Sequence, residues 1–192
     1  MKFIFFKNIK SNFIPFKKFI NSLINECNNL TSVWESRTTK KGFQSKGNLF
    51  ALQTLPIVNL KNIIIKAINE YKIKYKTKSD GFISQWPNKF HLFGCYNKLL
   101  KKGYQKSHIH PGGWLSGCFY LKMPRILKKD EAAINFSLHG YDYPIVNSDI
   151  PNYQYSPVEG DLILFPSSLF HKTIPFSSND ERHVIAFDTI PE

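Results

Sequence analysis

Two histidines one residue apart, His108 and His110, stand in the stretch Ser107-His108-Ile109-His110-Pro111-Gly112-Gly113-Trp114-Leu115-Ser116-Gly117. On a β-strand side chains alternate with period 2, so residues i and i+2 leave from the same face. Neutral imidazole is the commonest metal ligand. A third imidazole, His171, follows a second stretch, Gly160-Asp161-Leu162-Ile163-Leu164-Phe165-Pro166. Two ligands on one face and a third from a distant strand make a three-ligand metal site with coordination positions left open for chemistry. His91, His139 and His183 lack partners at such spacing and read as surface or structural residues.

Arg182 extends the pattern. The chain holds 26 Lys and Arg, yet arginine occurs only at Arg37, Arg125 and Arg182. A planar, permanently charged fork is the group that grips a carboxylate bidentately, and Lys does not replace it. The polar loop Ser177-Ser178-Asn179-Asp180-Glu181 precedes Arg182 and predicts a hairpin, with His171 and Arg182 facing one cavity from antiparallel neighbours. A metal with a cation beyond it fits an α-keto dicarboxylate, whose keto-acid end chelates while its far carboxylate pairs with the arginine. Cys118 shares a strand face with Ser116 and Tyr120, which puts a thiol near the metal and open to oxidation. Asp161 and Asp188 are carboxylates available to a site, although Asp161 after Gly160 reads as part of a turn that starts a strand. Trp114 and Ser116 suit either packing or the pocket wall.

The elements that must position these groups are short and mostly β. Phe3 to Phe6 reads as a strand. Phe16, Phe19, Ile20, Leu23, Ile24, Cys27 and Leu30 recur at helical spacing and predict an amphipathic helix over about 15–30. Thr31 to Leu55 is looser. Pro56 suits a helix start, and the stripe from Leu60 through Ile63, Ile64, Ala67, Ile68 and Tyr71 carries that helix to about Lys76. Its end holds the dense basic run Lys72, Lys74, Lys76 and Lys78, where cations suit the dipole. After Ser79-Asp80-Gly81 come short strand-like segments: Phe90 to Leu100, Tyr104 to His110, Trp114 to Lys122, Ala133 to Leu138, Asp161 to Phe165, Phe170 to Ile174 and His183 to Asp188. Such spacing predicts a sandwich or barrel. Pro124 to Pro157 is the longest irregular part. The expectation is one domain over 1–192, mainly β with N-terminal helices (α+β): residues 1–80 support a β core spanning 82–192.

Composition narrows the class. With 192 residues, 42% hydrophobic and 15% aromatic, the chain can build a core and is not disordered in type. No apolar run approaches the roughly 20 residues that span a bilayer, and the lysine-broken start does not read as a signal peptide. Cys27, Cys95 and Cys118 are odd in number and widely spaced, which predicts reduced thiols and a cytoplasmic setting. The net charge of +12 is dispersed lysine, so nucleic acid is a minor rival partner that salt-dependent binding would reveal.

Taken together, His108-x-His110-Pro111-x-Gly113-Trp114-Leu115-Ser116-Gly117-x-x-Tyr120-Leu121, then Gly160-Asp161-Leu162-x-Leu164-Phe165-Pro166-Ser167-x-x-x-His171, then Arg182-x-x-x-Ala186-Phe187-Asp188, resemble the 2-oxoglutarate- and Fe(II)-dependent oxygenases related to prolyl hydroxylases. The likeness is dense from about 94 to 191 and looser at Gly42-Phe43-Gln44-Ser45. It implies a double-stranded β-helix, a jelly-roll or cupin-like barrel, with the metal between its sheets. It implies Fe(II) on His108, His110 and His171, with 2-oxoglutarate and O₂ at the open positions. Arg182 and Tyr120 would bind the far carboxylate of 2-oxoglutarate. The reaction implied is hydroxylation of a C–H bond with release of succinate and CO₂, on a prolyl or other amino-acid residue of a peptide, or on a small molecule. In one respect the chain departs from the wider family, which has Asp or Glu where this chain has His110. A cupin-type metal enzyme without 2-oxoglutarate is the alternative. Its first motif needs a Glu soon after His-x-His, whereas the nearest downstream is Glu131, and it leaves Arg182 unexplained.

Overall fold

The computed structural model describes residues 1–12, 15–76, 81–141, 143–145 and 149–192. Lys78 and the Ser79-Asp80 turn of the sequence reading lie outside them. Helix α1 spans Phe16–Asn28 and buries Phe16, Phe19, Ile20, Leu23 and Cys27. Helix α2 spans Leu55–Tyr75, with Pro56 in its first turn and Lys72 and Lys74 in its last. Its Ile63-Ile64-Ile65 run would also suit a strand, but a β-branched residue costs only a few tenths of a kcal/mol in a helix. Burial decides the matter: Ile57, Leu60, Ile64 and Ile68 are at most 1% exposed, and each such burial is worth roughly 1.5–3 kcal/mol.

Among the described residues, ten strands form two sheets: β1 Phe5–Asn8, β2 Ser32–Trp34, β3 Thr39–Ser45, β4 Phe90–Gln105, β5 Leu115–Lys122, β6 Ile134–Ser137, β7 Asn152–Tyr155, β8 Asp161–Pro166, β9 Phe170–Thr173 and β10 Arg182–Pro191. The seven-stranded sheet has the order β1-β8-β5-β10-β4-β3-β2, and the three-stranded sheet the order β7-β6-β9. This is the expected mainly β, double-stranded β-helix class with N-terminal helices, its two sheets not closed into a barrel.

The large sheet is covered on both faces. Leu115, Phe119, Leu121, Leu162, Leu164, Ile185 and Phe187 pack with the residues of α1 and α2. Their neighbours in sequence, Cys118, Tyr120, Ile163, Phe165 and Val184, pack instead with Ile134 and Phe136 of the small sheet. Double coverage is why β5 and β8 read as almost continuous apolar runs. Tyr71 and Tyr75 fasten α2 to the strand side, donating to the carbonyls of Phe3 and Ile4 at 2.9 and 3.0 Å.

Four expectations change. The segment 31–55 is not merely loose, since it holds β2 and β3, which complete the large sheet. Tyr104 does not begin a separate strand: β4 runs through Lys101-Lys102-Gly103 as a bulge, with Lys102 at φ 62° and its N–H given to the Phe176 carbonyl at 2.7 Å. His171 and Arg182 do not sit on a hairpin, because β9 belongs to the small sheet and β10 to the large one. The chain crosses from one sheet of the sandwich to the other between them. The stretch 124–157 also holds β6 and β7.

Gly117 marks how tightly β5 is packed: a Cβ there would collide with the Phe187 ring and lie 2.8 Å from Leu164. Gly117→Ala should cost about 1–3 kcal/mol in denaturant melts by overpacking. Gly112→Ala, whose Cβ meets nothing within 4 Å, should stay within about 0.5 kcal/mol of the parent.

Candidate metal and carboxylate site

Past the end of β4 the chain leaves β3 and turns to the small sheet. His108 and His171 exchange both backbone hydrogen bonds, each 3.1 Å, as an isolated antiparallel bridge. His110 N–H donates to the Ser167 carbonyl at 2.9 Å, and Gly113 N–H closes the turn onto the His110 carbonyl at 3.0 Å. The His-x-His pair is therefore held by the loop after β4 rather than within a strand. The three imidazoles still converge: one ring nitrogen from each of His108, His110 and His171 lies within 4.8 Å of the other two.

Each Nδ1 is already engaged. That of His108 faces the Lys106 carbonyl at 2.6 Å, and that of His171 the Leu169 carbonyl at 3.0 Å. That of His110 faces the two oxygens of Asp188 at 2.8 and 2.7 Å. An acceptor on Nδ1 fixes the proton there and leaves Nε2 as the free lone pair. Burial, with the neighbouring imidazoles, keeps two of the rings neutral: His108 is pushed down to about 4, and His171 well below the ordinary histidine value. Three imidazoles with a common focus can hold a divalent metal.

A cavity of about 530 Å³ opens over them, walled by Arg37, Gln44, Cys95, Asn97, Gln105 and Lys106 among others. Its floor includes Gly117, Cys118 and Ala186. Cys95 and Cys118 both stand opposite Ala186 on the flanking strands, and burial pushes their thiols up to about 11 and 12. Cys118 thus lies by the histidines, as its strand face predicts, but as a protonated thiol. Gln44, from the Gly42-Phe43-Gln44-Ser45 stretch, donates to Cys95 Sγ at 3.4 Å.

Arg182 and Tyr120 do not line this cavity; they lie deeper between the sheets. Arg182 is 2% exposed and Tyr120 0%. The guanidinium sits 5.1 Å over the Tyr120 ring. Among the described residues, Arg182 Nε and Nη1 and the Tyr120 hydroxyl have no hydrogen-bond partner, and burial raises the Tyr120 phenol well above its ordinary value. A buried cation without a counter-charge costs several kcal/mol, so these groups fit an incoming carboxylate.

The remaining candidates separate cleanly. Ser116 bonds Asp188. Trp114 stacks on Phe82 at 5.5 Å and is a packing residue. Asp161 accepts from Asn8, Tyr155 and the Val158 N–H, at the turn into β8. His183 is buried against Tyr96 and Glu181, His91 pairs with Glu192, and His139 bonds the Tyr143 carbonyl. Sequence reasoning gave no role to Asp188 at His110 or to Cys95, Asn97 and Arg37 in the cavity wall. For Asp188 a signal existed: it lies six residues from Arg182, an even spacing that puts both on one strand face.

Residues 95–188 match the family model described as "Putative 2OG-Fe(II) oxygenase". No curated protein matches the chain. Solved structures share its fold. A Pseudomonas putida prolyl-4-hydroxylase superposes with a TM-score of 0.61 at 11% identity, over 99% of this chain and 93% of that one. A Trichoplax adhaerens prolyl hydroxylase in complex with a hypoxia inducible factor peptide fragment gives 0.62 at 11%, over 99% and 84%. HygX from Streptomyces hygroscopicus, with nickel and 2-oxoglutarate bound, gives 0.56 at 13%, over 91% and 79%.

The depressed imidazoles have a consequence for the metal-free protein. A histidine neutral in the fold takes up a proton on unfolding once the pH drops below about 6.5. The stability that His108 contributes is therefore full above 6.5 and lost as pH falls through about 4, of order 2–3 kcal/mol. Thermal melts of metal-free protein at pH 7 and 4.5 should show a smaller acid loss in His108→Gln than in the parent.

Proposed function

We propose, from the match of residues 95–188 to the 2OG-Fe(II) oxygenase model, that the chain is a member of that family, that His108, His110 and His171 hold Fe(II) and that Arg182 with Tyr120 anchors 2-oxoglutarate. The observation that carries the assignment is the buried guanidinium whose Nε and Nη1 find no hydrogen-bond partner among the described residues. With Fe(II), 2-oxoglutarate and O₂ bound, the site supplies oxidative decarboxylation to succinate and CO₂ coupled to hydroxylation of a C–H bond. The protein's share is positioning. The bridge between His108 and His171 fixes two ligands to each other, and the acceptors on Nδ1 aim the rings. Arg182 gives the far carboxylate a charge-assisted partner in a dry site, and the donor Tyr120 hydroxyl stands beside it. The strip Ala186, Val184, Arg182, flanked in register by Cys118 and Tyr120, joins the cavity floor to the guanidinium.

The prime substrate enters through the cavity. Its wall offers side-chain amides from Gln44, Asn97 and Gln105 and cations from Arg37 and Lys106. That lining supports a peptide carrying a prolyl or other side chain to be hydroxylated, because backbone amides need such partners on both sides. Solved relatives of this fold include a prolyl hydroxylase with a peptide bound. Glu131 does not support the cupin-type alternative: it accepts from Leu127, Lys128 and Ser177, closing a loop. The three cysteines are free, which supports a reducing, cytoplasmic setting. No helix among the described residues is long and apolar enough to cross a membrane.

Anaerobic Fe(II) titrated with 2-oxoglutarate should develop the visible metal-to-ligand charge-transfer band. His171→Ala should abolish the band. Arg182→Ala should keep metal binding and weaken 2-oxoglutarate at least about tenfold, the value of a hydrogen-bonded charge. Metal binding with no band at millimolar 2-oxoglutarate would rule the assignment out.

A further inference from the structure

The three-imidazole set raises a question of charge. Where a carboxylate ligand would give the metal a negative charge, His110 gives none. The structure places a carboxylate one hydrogen bond further out, on that histidine and on neither of the others. His108 and His171 rest their Nδ1 atoms on backbone carbonyls, whereas His110 rests its Nδ1 on both oxygens of Asp188.

Asp188 is itself held in place. On β10 it stands opposite Ser116 of β5, whose hydroxyl donates to its Oδ1 at 2.5 Å. Ser116 and Ser167 are hydrogen-bonded at 2.8 Å, and each is 1% exposed. Ser167 returns to the same turn through its carbonyl, which accepts the His110 N–H. Gly113 is needed for this closure, because a Cβ there would lie 2.6 Å from Ser167 Oγ and 3.2 Å from Asp188 Cβ. His110, Asp188, Ser116 and Ser167 thus form one closed ring of contacts. The carboxylate lies on the Nδ1 side of the imidazole, away from the free Nε2, so it acts through the ring.

We propose that Asp188 is a positioning residue that locks His110 with Nε2 free and, through the imidazole, supplies the negative charge that the ligand set lacks. This rests on the reading of His108, His110 and His171 as metal ligands. A carboxylate accepting from the remote N–H raises the basicity of a ligating imidazole, and losing such a partner typically costs about 10–100-fold in metal affinity. The rival role is a simple staple, with Asp188 joining β10 to β5 through Ser116.

Asp188→Asn separates the two. It is isosteric and keeps an oxygen for the His110 N–H but drops the charge. Co(II) affinity of the full chain, measured by chelator competition, should fall about 10–100-fold. The visible d–d band should shift, while the melting temperature of the metal-free protein stays near the parent's. The second comparison repeats Asp188→Asn in a His110→Ala background, where no imidazole relays the charge. The fall in Co(II) affinity caused by Asp188→Asn should then largely disappear. Parent-like Co(II) affinity and spectrum in Asp188→Asn would overturn the proposal and leave the staple. A fall of the same size in the His110→Ala background would do the same. A parent chain that binds no Co(II) at all would instead overturn the metal reading beneath it.

Discussion

The backbone bridge between His108 and His171 is the contact on which the site depends. Those two residues come from chain segments more than sixty positions apart, one leaving the large sheet and the other inside the small one. Two hydrogen bonds exchanged between the same pair fix both Cα positions and the side to which both imidazoles point. His110 then follows two residues on, tied to Ser167 on the approach to β9. Ring centroids end 4.3 to 5.1 Å apart. Without the bridge, the loop that carries His108 and His110 and the strand that carries His171 would have to find one focus by packing alone.

The rest of the architecture serves to keep a polar strip dry. Side chains of β10 alternate between two cores: Ile185 and Phe187 enter the helix-covered core, and Val184 enters the inter-sheet core. Arg182 and Asp188 share the parity of Val184, so the strand carries a cation at one end of the strip and an anion at the other. They are not each other's partner, since Asp188 is taken by His110 and Ser116. A guanidinium held in this way costs stability in the empty protein. The two helices, the Phe187 and Phe119 layer and the tyrosine contacts to β1 are where that cost is offset.

Much of this was legible in the sequence, for reasons that can be named. Residue type and exact spacing carried the histidines and Arg182. Helical periodicity carried α1 and α2 to within two residues at each end, because their buried faces are continuous. Short apolar runs between turn residues carried β4, β5, β8 and β10. What could not be read depended on contacts between distant residues. The Thr39–Ser45 strand is built of Thr, Lys, Gly, Phe, Gln and Ser, has no alternation, and is a strand only because β4 lies beside it. The crossing from β9 to β10 looks like a hairpin loop, since a short polar segment joins neighbours or opposite sheets equally well. Asp188 was visible as a carboxylate but not as a partner of His110, since that needs the register between β10 and β5.

The most direct test of the central claim is an anaerobic crystal structure of the Fe(II) complex with 2-oxoglutarate. The account predicts three imidazole nitrogens on the metal, the keto-acid end of 2-oxoglutarate chelated, and the far carboxylate on Arg182 beside the Tyr120 hydroxyl. Asp188 would remain on His110 Nδ1. A carboxylate of Asp188 bound directly to iron, or 2-oxoglutarate seated with its far end on Arg37 at the mouth, would contradict it.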